Sequence, residues 1–491
     1  MTPSIRIDRE VPVPMRDGTV LRAEVWRPDD GRPHPAILER TPYLKESGAP
    51  SPILDSRLAT ERGYAVVVQD VRGRGSSGGS FEPFMKEEAD GADSVAWTAA
   101  QPWCDGSVVM AGMSYVGATQ WLAAAARPPA LKAIAPTLSS DDFGEGWSFR
   151  SGVREHGFLT TWSAGDLAAP GEQWLDAPER AYDDLEGLAR IAPWTREWLA
   201  EEPGSDYWRT RSVAPRRARV DVPVLFTAGW YDVFLAGSLR GFREARHSFD
   251  RLIIGPWGHD WQLSNHVGDL NVGIAGAGFD WFASALDFFD AVLAGREPAL
   301  PRVRAYVLGA RRWVDLEDWP PPDATSVTAP LDPARVVVRA EDPVPSLGGR
   351  GLLVQVPGGG WGVRDQRPLL GRPDVAVAGR VEWPRSTILA GPVRARLRTA
   401  AGDTQWVLVL CLEHEDGSLH NLCEGIARAP AGASEVMVEL GDVCVEVAAG
   451  QAVVVLVAGS SFPRWPRPEA DGAQEILDGS ALELTVADLP G

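Results

Sequence analysis

Ile5 to Val13 and Val20 to Trp26 set apolar against polar residues in near alternation, on either side of the turn Arg16-Asp17-Gly18. That period of two predicts half-buried strands. With the short run Ala36-Ile37-Leu38 they form an antiparallel β opening. From Tyr64 the rhythm changes. A β-branched run (Tyr64 to Val68), a helical stretch around Glu87 to Ala100, a second run (Val108 to Ala111), a helix at about Tyr115 to Ala126 and a third run (Leu131 to Ala135) follow one another. Short apolar strands alternating with helices predict a parallel sheet with crossover connections.

Between Ser139 and Arg219 the strand rhythm vanishes, and Trp147, Trp162, Trp174, Trp194, Trp198 and Trp208 lie among helix-forming and acidic residues. This reads as a helical insertion. The α/β rhythm returns at Val222 to Phe226 and Arg251 to Ile254, with a helix at about Leu235 to Ala245 between them and another near Trp281 to Leu293. Beyond the run Trp319-Pro320-Pro321-Pro322 helical patterns fade. Short β-rich runs such as Leu352 to Val356, Val407 to Leu412 and Val453 to Val457, punctuated by Gly and Pro, predict a terminal β-sandwich or jelly roll. The expected segmentation is an α/β domain over 1–138 and 220–300, a helical cap over 139–219, and a β-rich domain over 301–491. No internal repeat or low-complexity tract stands out.

Composition narrows the partners. Lys and Arg number 48 against 67 Asp and Glu, a net charge of −19. That is the wrong sign for attraction to phosphate backbones or anionic lipid, so neither nucleic acid nor a membrane is an expected partner. Hydrophobic residues at 44% and charged ones at 23% are ordinary for a globular chain. The amino terminus lacks the apolar core of a signal segment, which predicts a cytoplasmic protein. Gly106 to Ala126 is uncharged and long enough to span a bilayer. Ser107, Gly112, Ser114, Tyr115, Gly117 and Gln120 interrupt it, however, so it reads as strand, turn and buried helix. Cys104, Cys411, Cys423 and Cys444 are scattered without C-x-x-C pairing. They read as reduced core residues, and no metal or cofactor is expected.

The strongest local chemistry is Ala111-Gly112-Met113-Ser114-Tyr115-Val116-Gly117, set between a buried strand and a helix. A nucleophilic serine on a tight strand-to-helix turn needs small neighbours, and the usual form is G-x-S-x-G. Here the second glycine comes one residue later, and a capping serine at a Gly-rich junction is the plainer reading. A serine hydrolase of this fold also needs an acid and a base in the order Ser, Asp, His. Asp232 follows the strand Val222 to Phe226, within Ala228-Gly229-Trp230-Tyr231-Asp232. His259 follows the next strand, within Gly255-Pro256-Trp257-Gly258-His259. An aspartate beside a turn is commonly an Asx-turn residue, but an ordered trio is stronger than its parts.

With these motifs the chain resembles the bacterial cocaine esterase family of CocE/NonD-type hydrolases, which also includes X-prolyl dipeptidyl aminopeptidases and α-amino ester hydrolases. Arg40-Thr41-Pro42-Tyr43 and Asp70-Val71-Arg72-Gly73-Arg74-Gly75-Ser76-Ser77-Gly78 carry the resemblance as well, and the longer glycine spacing after Ser114 looks like the family's own. The resemblance implies an α/β-hydrolase core, an inserted helical cap and a jelly roll. It implies Ser114 as nucleophile, His259 as base, Asp232 as orienting carboxylate, and an oxyanion hole from the Tyr43 hydroxyl and the Tyr115 backbone N–H. It also implies an acyl pocket lined by Trp147, Trp162 and Phe234, residues that plain core packing would equally explain. α-Amino ester hydrolases carry extra carboxylates just after the catalytic aspartate. Here Val233-Phe234-Leu235 stands there, which favours an apolar acyl group without a recognised α-ammonium.

The expected function is hydrolysis of a small-molecule ester, or less readily an amide, through an acyl-enzyme. An acyltransferase or an X-prolyl dipeptidyl-peptidase would use the same groups, and an idle binding or assembly protein is the alternative from outside enzymology. Oligomeric state is left open, a homo-oligomer included. Gly73 to Gly78 also fits the dinucleotide pattern G-x-G-x-x-G, but no acidic residue ends the following strand in the ribose position. Glu413-His414-Glu415-Asp416 with His420 reads as a hairpin turn at Asp416-Gly417. Arg209, Arg211, Arg216, Arg217 and Arg219 read as a solvated face, with a role toward an acidic substrate left open.

Overall fold

The computed structural model describes residues 4–46, 54–259, 264–351, 360–400, 404–430 and 432–490. Ten strands form its main sheet: β1 (Ile5–Pro14), β2 (Val20–Pro28), β3 (His34–Thr41), β4 (Ala65–Asp70), β5 (Cys104–Met113), β6 (Leu131–Thr137), β7 (Leu225–Tyr231), β8 (Arg251–Gly258), β9 (Val303–Val307) and β10 (Arg312–Leu316). Their spatial order is β1-β2-β4-β3-β5-β6-β7-β8-β9-β10. From β4 through β9 every pairing is parallel, and the edge pairs β1–β2 and β9–β10 are antiparallel. All six residues of β4 are buried, as the middle of a sheet covered on both faces requires.

Alternate side chains divide between the two layers. Leu38, Val108 and Met110 face the helices Glu87–Ala99, Tyr115–Ala125 and Leu235–Arg243, while Ile37, Val109 and Ala111 face Trp281–Leu293. The stretch Gly106 to Ala126 is thus the end of β5, a turn, and a helix whose eleven residues are all buried. No helix among the described residues is long and apolar enough to cross a membrane.

The cap leaves the sheet after β6 and returns at β7. Its short helices, among them His156–Trp162, Leu185–Ile191, Thr195–Ala200 and Asp206–Arg211, close over buried Trp147, Trp162, Trp194, Trp198 and Trp208. The arginines at its end are tie-points. Arg217 grips buried Asp141 at 2.6 and 2.8 Å, Arg216 pairs with Glu88 at 2.6 Å, and Arg211 pairs with Glu82 at 3.1 Å.

Two four-stranded antiparallel sheets form the carboxy-terminal domain. One orders Thr325–Pro330, Ala481–Val486, Thr387–Arg398 and Glu435–Val447; the other orders Val375–Glu382, Ala452–Ala458, Thr404–Glu413 and Leu419–Ala429. β9 and β10, expected in this domain from residue 301 onward, instead complete the edge of the main sheet. An antiparallel edge pair carries the same alternation as a sandwich strand, so the pattern alone does not separate them. The expected run Leu352 to Val356 lies outside the described residues. Asp416-Gly417 turns the hairpin between Thr404–Glu413 and Leu419–Ala429, with Gly417 at φ 77°. All four cysteines are buried and unpaired.

Arg350 is one of the buried cations that join the two domains. The Arg350 guanidinium donates to the Leu440 and Asp442 carbonyls at 3.0 and 2.5 Å, and across the domain boundary to the Trp230 carbonyl at 2.8 Å. The sandwich thereby braces the end of β7, two residues before Asp232.

Candidate active site

Tyr43, Ser114, Asp232 and His259 all follow the carboxyl ends of parallel strands (β3, β5, β7 and β8), where an open α/β sheet gathers its ligands. Ser114 adopts φ 62°, ψ −124°, a strained conformation for a residue with a side chain. Neighbouring contacts hold it there. Its N–H donates to the Thr137 carbonyl at 2.9 Å, and its own carbonyl accepts from Ser139 Oγ at 2.8 Å.

The two glycines of the turn have separate reasons. A Cβ on Gly112 would stand 2.1 Å from Val116 Cγ1, and one on Gly117 would stand 2.5 Å from Ser139 Cβ. The second glycine is therefore needed one residue later than in the usual elbow. It lets the helix pass Ser139, which fastens the Ser114 carbonyl.

His259 arrives through a β-bulge. Gly255 pairs with Gly229, but Gly258 pairs with Tyr231, so β8 carries one extra residue, and bulges re-aim the side chains that follow them. Gly229 permits this, since a Cβ there would lie 2.4 Å from the Trp257 carbonyl oxygen. His259 Nδ1 then lies 2.6 Å from Asp232 Oδ2, and Nε2 lies 3.0 Å from Ser114 Oγ. A carboxylate only accepts, so Nδ1 carries the proton and Nε2 is left to accept from the serine hydroxyl. Asp232 is fully buried, and its other oxygen accepts from the Phe234 N–H at 2.9 Å. It is an Asx-turn residue and a histidine partner at once. The connected hydroxyl, imidazole and carboxylate can draw a proton off the serine as it attacks.

Tyr43 reaches the same point from the other side. The Trp162 indole N–H, which can only donate, meets the Tyr43 hydroxyl oxygen at 3.1 Å. The phenol's own proton therefore remains available to donate, and Ser114 lies close to it. Burial, with the negative charge of Asp166, pushes the phenol above its ordinary pKa and keeps it a donor. Tyr115 contributes differently. Its buried hydroxyl donates to Glu87 Oε1 at 3.0 Å and accepts from the Phe84 N–H at 2.9 Å, which turns the ring away from Ser114. Its N–H, at the first position of a helix, has no intrahelical acceptor.

Trp147, Trp162 and Phe234 are brought together beside His259. The Trp147 and Phe234 ring centroids lie 4.1 Å apart, Trp147 and Trp162 lie 5.6 Å apart, and Phe234 stands edge-on to His259 at 5.3 Å. At 1%, 4% and 0% exposure they form a packed wall.

Two residues near this site were not anticipated. Arg74, inside the glycine-rich motif, donates to the carbonyls of Pro42, Asp166, Leu167 and Ala168 and so ties the Tyr43 loop to the cap. Asp166, whose carbonyl it holds, carries a charge that acts on Tyr43 and His259. The glycines around Arg74 are explained by crowding. A Cβ on Gly75 would meet Asp70 Oδ2 at 2.1 Å, and Asp70 in turn holds Lys45 at 3.0 Å.

Residues 17–261 match the model of the X-Pro dipeptidyl-peptidase (S15) family, and residues 298–481 match that of the X-Pro dipeptidyl-peptidase C-terminal non-catalytic domain. The cocaine esterase of Rhodococcus sp. (strain MB1 Bresler) is 34% identical, with 95% of this chain and 94% of that protein aligned. This chain belongs to the CocE/NonD family of serine hydrolases. Solved structures with the family's fold include an aminopeptidase from a marine sediment Thaumarchaeota archaeon, at 22% identity and a TM-score of 0.83, and a CocE/NonD family hydrolase from Staphylococcus aureus, at 18% and 0.72. Each covers 99% of this chain and is itself covered to 97%. As a CocE/NonD hydrolase the chain combines an α/β core with a carboxy-terminal β-rich domain.

Proposed function

We propose that this hydrolase cleaves carboxylic esters through an acyl-enzyme formed on Ser114. What carries the reading is His259, bridging Ser114 Oγ at 3.0 Å and the buried Asp232 carboxylate at 2.6 Å. Ser114 Oγ attacks the ester carbonyl carbon while its proton passes to His259 Nε2, and Asp232 stabilises the imidazolium through Nδ1–H. The carbonyl oxygen, now an oxyanion, accepts from the Tyr43 hydroxyl and the Tyr115 N–H. Each such donor is worth about 10² to 10³ in turnover. Collapse of the tetrahedral adduct breaks the bond to the leaving alcohol, which takes the proton from His259. A water then gives its proton to the same nitrogen, attacks the acyl carbon and restores Ser114.

The relative at 34% identity is a cocaine esterase, and this supports an ester over a peptide as substrate. The aromatic wall of Trp147, Trp162 and Phe234 supports an apolar acyl group.

Turnover of 4-nitrophenyl acetate, butanoate and benzoate, set against glycyl-prolyl 4-nitroanilide, tests this. Ester cleavage that disappears in Ser114→Ala and His259→Ala is the expected result. Exclusive cleavage of the anilide would overturn the ester assignment, and ester cleavage that persists in Ser114→Ala would overturn the mechanism.

A further inference from the structure

Asp166 lies on the π-helical turn Ser163–Leu167, which continues the helix His156–Trp162. It follows Trp162 by four residues, the spacing that sets two side chains on one face. Trp162 is the residue whose indole meets the Tyr43 hydroxyl. Arg74 fixes the turn, binding the Asp166 carbonyl at 3.0 Å and the Pro42 carbonyl, next to Tyr43, at 2.7 Å. The hydrogen bonds of Arg74 run to backbone carbonyls, so its charge acts on the Asp166 carboxylate without a hydrogen bond to it. Among the described residues no side chain hydrogen-bonds to that carboxylate.

Asp166 is open to solvent, although Ala164 and Leu167 beside it are fully buried. It is nonetheless set deep enough that desolvation raises its pKa. An exposed group in deep surroundings lines a cleft rather than the outer surface. Its charge acts on both Tyr43 and His259, so the cleft is the one that holds Ser114.

An ionised carboxylate here opposes the reaction on a neutral ester. It repels the negative charge that builds beside Tyr43 in the tetrahedral adduct, as it already resists ionisation of the phenol. A cation on the substrate would cancel that repulsion and give the carboxylate a direct partner. We propose that Asp166 is a specificity-determining residue that binds a cationic group, an ammonium or guanidinium, of the ester substrate. The proposal rests on the esterase reading above. It also relocates cation recognition: the apolar Val233-Phe234-Leu235 after Asp232 offers no carboxylate, whereas the cap does.

Esters that differ only by carbon for quaternary nitrogen test the idea on both sides of the scissile bond. On the acyl side, 4-nitrophenyl 4-(trimethylammonio)butanoate is compared with 4-nitrophenyl 5,5-dimethylhexanoate. On the alcohol side, butanoylcholine is compared with 3,3-dimethylbutyl butanoate. In one of the pairs the native enzyme is expected to favour the cation at least tenfold in kcat/KM. Asp166→Asn is expected to collapse that preference, lowering the cationic ester's value by roughly 10- to 100-fold, the worth of a close, partly desolvated ion pair, and raising the neutral ester's. Asp166→Glu, which keeps the charge, retains the preference. Equal losses on both members of a pair, no preference in either pair, or a preference that survives in Asp166→Asn would each overturn the inference. If the neutral esters are still cleaved in a Ser114-dependent way, the esterase reading stands without it. Absence of Ser114-dependent cleavage of all four esters would overturn that reading and the inference together.

Discussion

Glu39 lies on β3, four residues before Tyr43, and is 1% exposed. Its Oε2 has no hydrogen-bond partner, and burial raises its pKa from 4.5 to about 8. Below pH 4.5 the carboxyl is protonated in the folded and the unfolded chain alike, and it adds no pH dependence. Between 4.5 and about 8 the unfolded chain ionises while the folded one holds its proton, so stability falls as pH rises through this window. Above 8 both are ionised and the loss is complete. At about 1.36 kcal/mol per pH unit, the window corresponds to a loss of order 5 kcal/mol. Glu39→Met removes the titrating group and nearly preserves its volume. For a chain of 491 residues unfolding as one unit, about 2 cal/mol/K per residue gives an unfolding entropy near 1 kcal/mol/K. The melting temperature of Glu39→Met relative to native should therefore climb by about 4 °C between pH 5 and pH 8.5, whatever its offset at pH 5. Calorimetry of both proteins across that range measures the difference directly. A difference that stays constant with pH would refute the reasoning and show that Glu39 finds a partner or water in the folded chain.

Three further outcomes follow from the site's supports. Tyr43→Phe should lower kcat by about 10² to 10³ with little change in KM, since the lost donor acts on the oxyanion; steady-state kinetics showing less than a tenfold loss would remove Tyr43 from the mechanism. Gly117→Ala should lower kcat at least about tenfold, because the new Cβ would sit 2.5 Å from the Ser139 side chain that fastens the Ser114 carbonyl; unchanged kcat would mean that this contact does not position the serine. Arg350→Met leaves three buried carbonyls without their donor, at about 1 to 3 kcal/mol each, so both the melting temperature and kcat should fall; a lower melting temperature with intact kcat would show that the bracing of β7 does not reach Asp232.

The residues that meet at the site were legible because each follows a strand and a sharp turn. The chain advertises such places with a β-branched run and then glycine, as before Ser114, Asp232 and His259. The helix Trp281–Leu293 and the buried segment after Gly106 were legible for a similar reason, their periodicity being unbroken by competing demands. Arg74 was not, because its ligands are backbone carbonyls roughly 90 positions away, and a carbonyl has no sequence signature. Asp166 stood in a cap whose short helices are held by tryptophan packing rather than by a repeating pattern, and a π turn sets its direction. β9 and β10 were assigned to the wrong layer because alternation reports that a strand has two faces, not which core one of them joins.

The central claim is that Ser114 is an activated nucleophile. Exposing the native chain, Ser114→Ala and His259→Ala to a fluorophosphonate and weighing the intact proteins tests it most directly. The account predicts a single covalent adduct on the native chain that maps to Ser114, none on Ser114→Ala, and labelling of His259→Ala slowed by orders of magnitude. A folded native protein that takes up no label, or takes it up on another residue, would contradict the account.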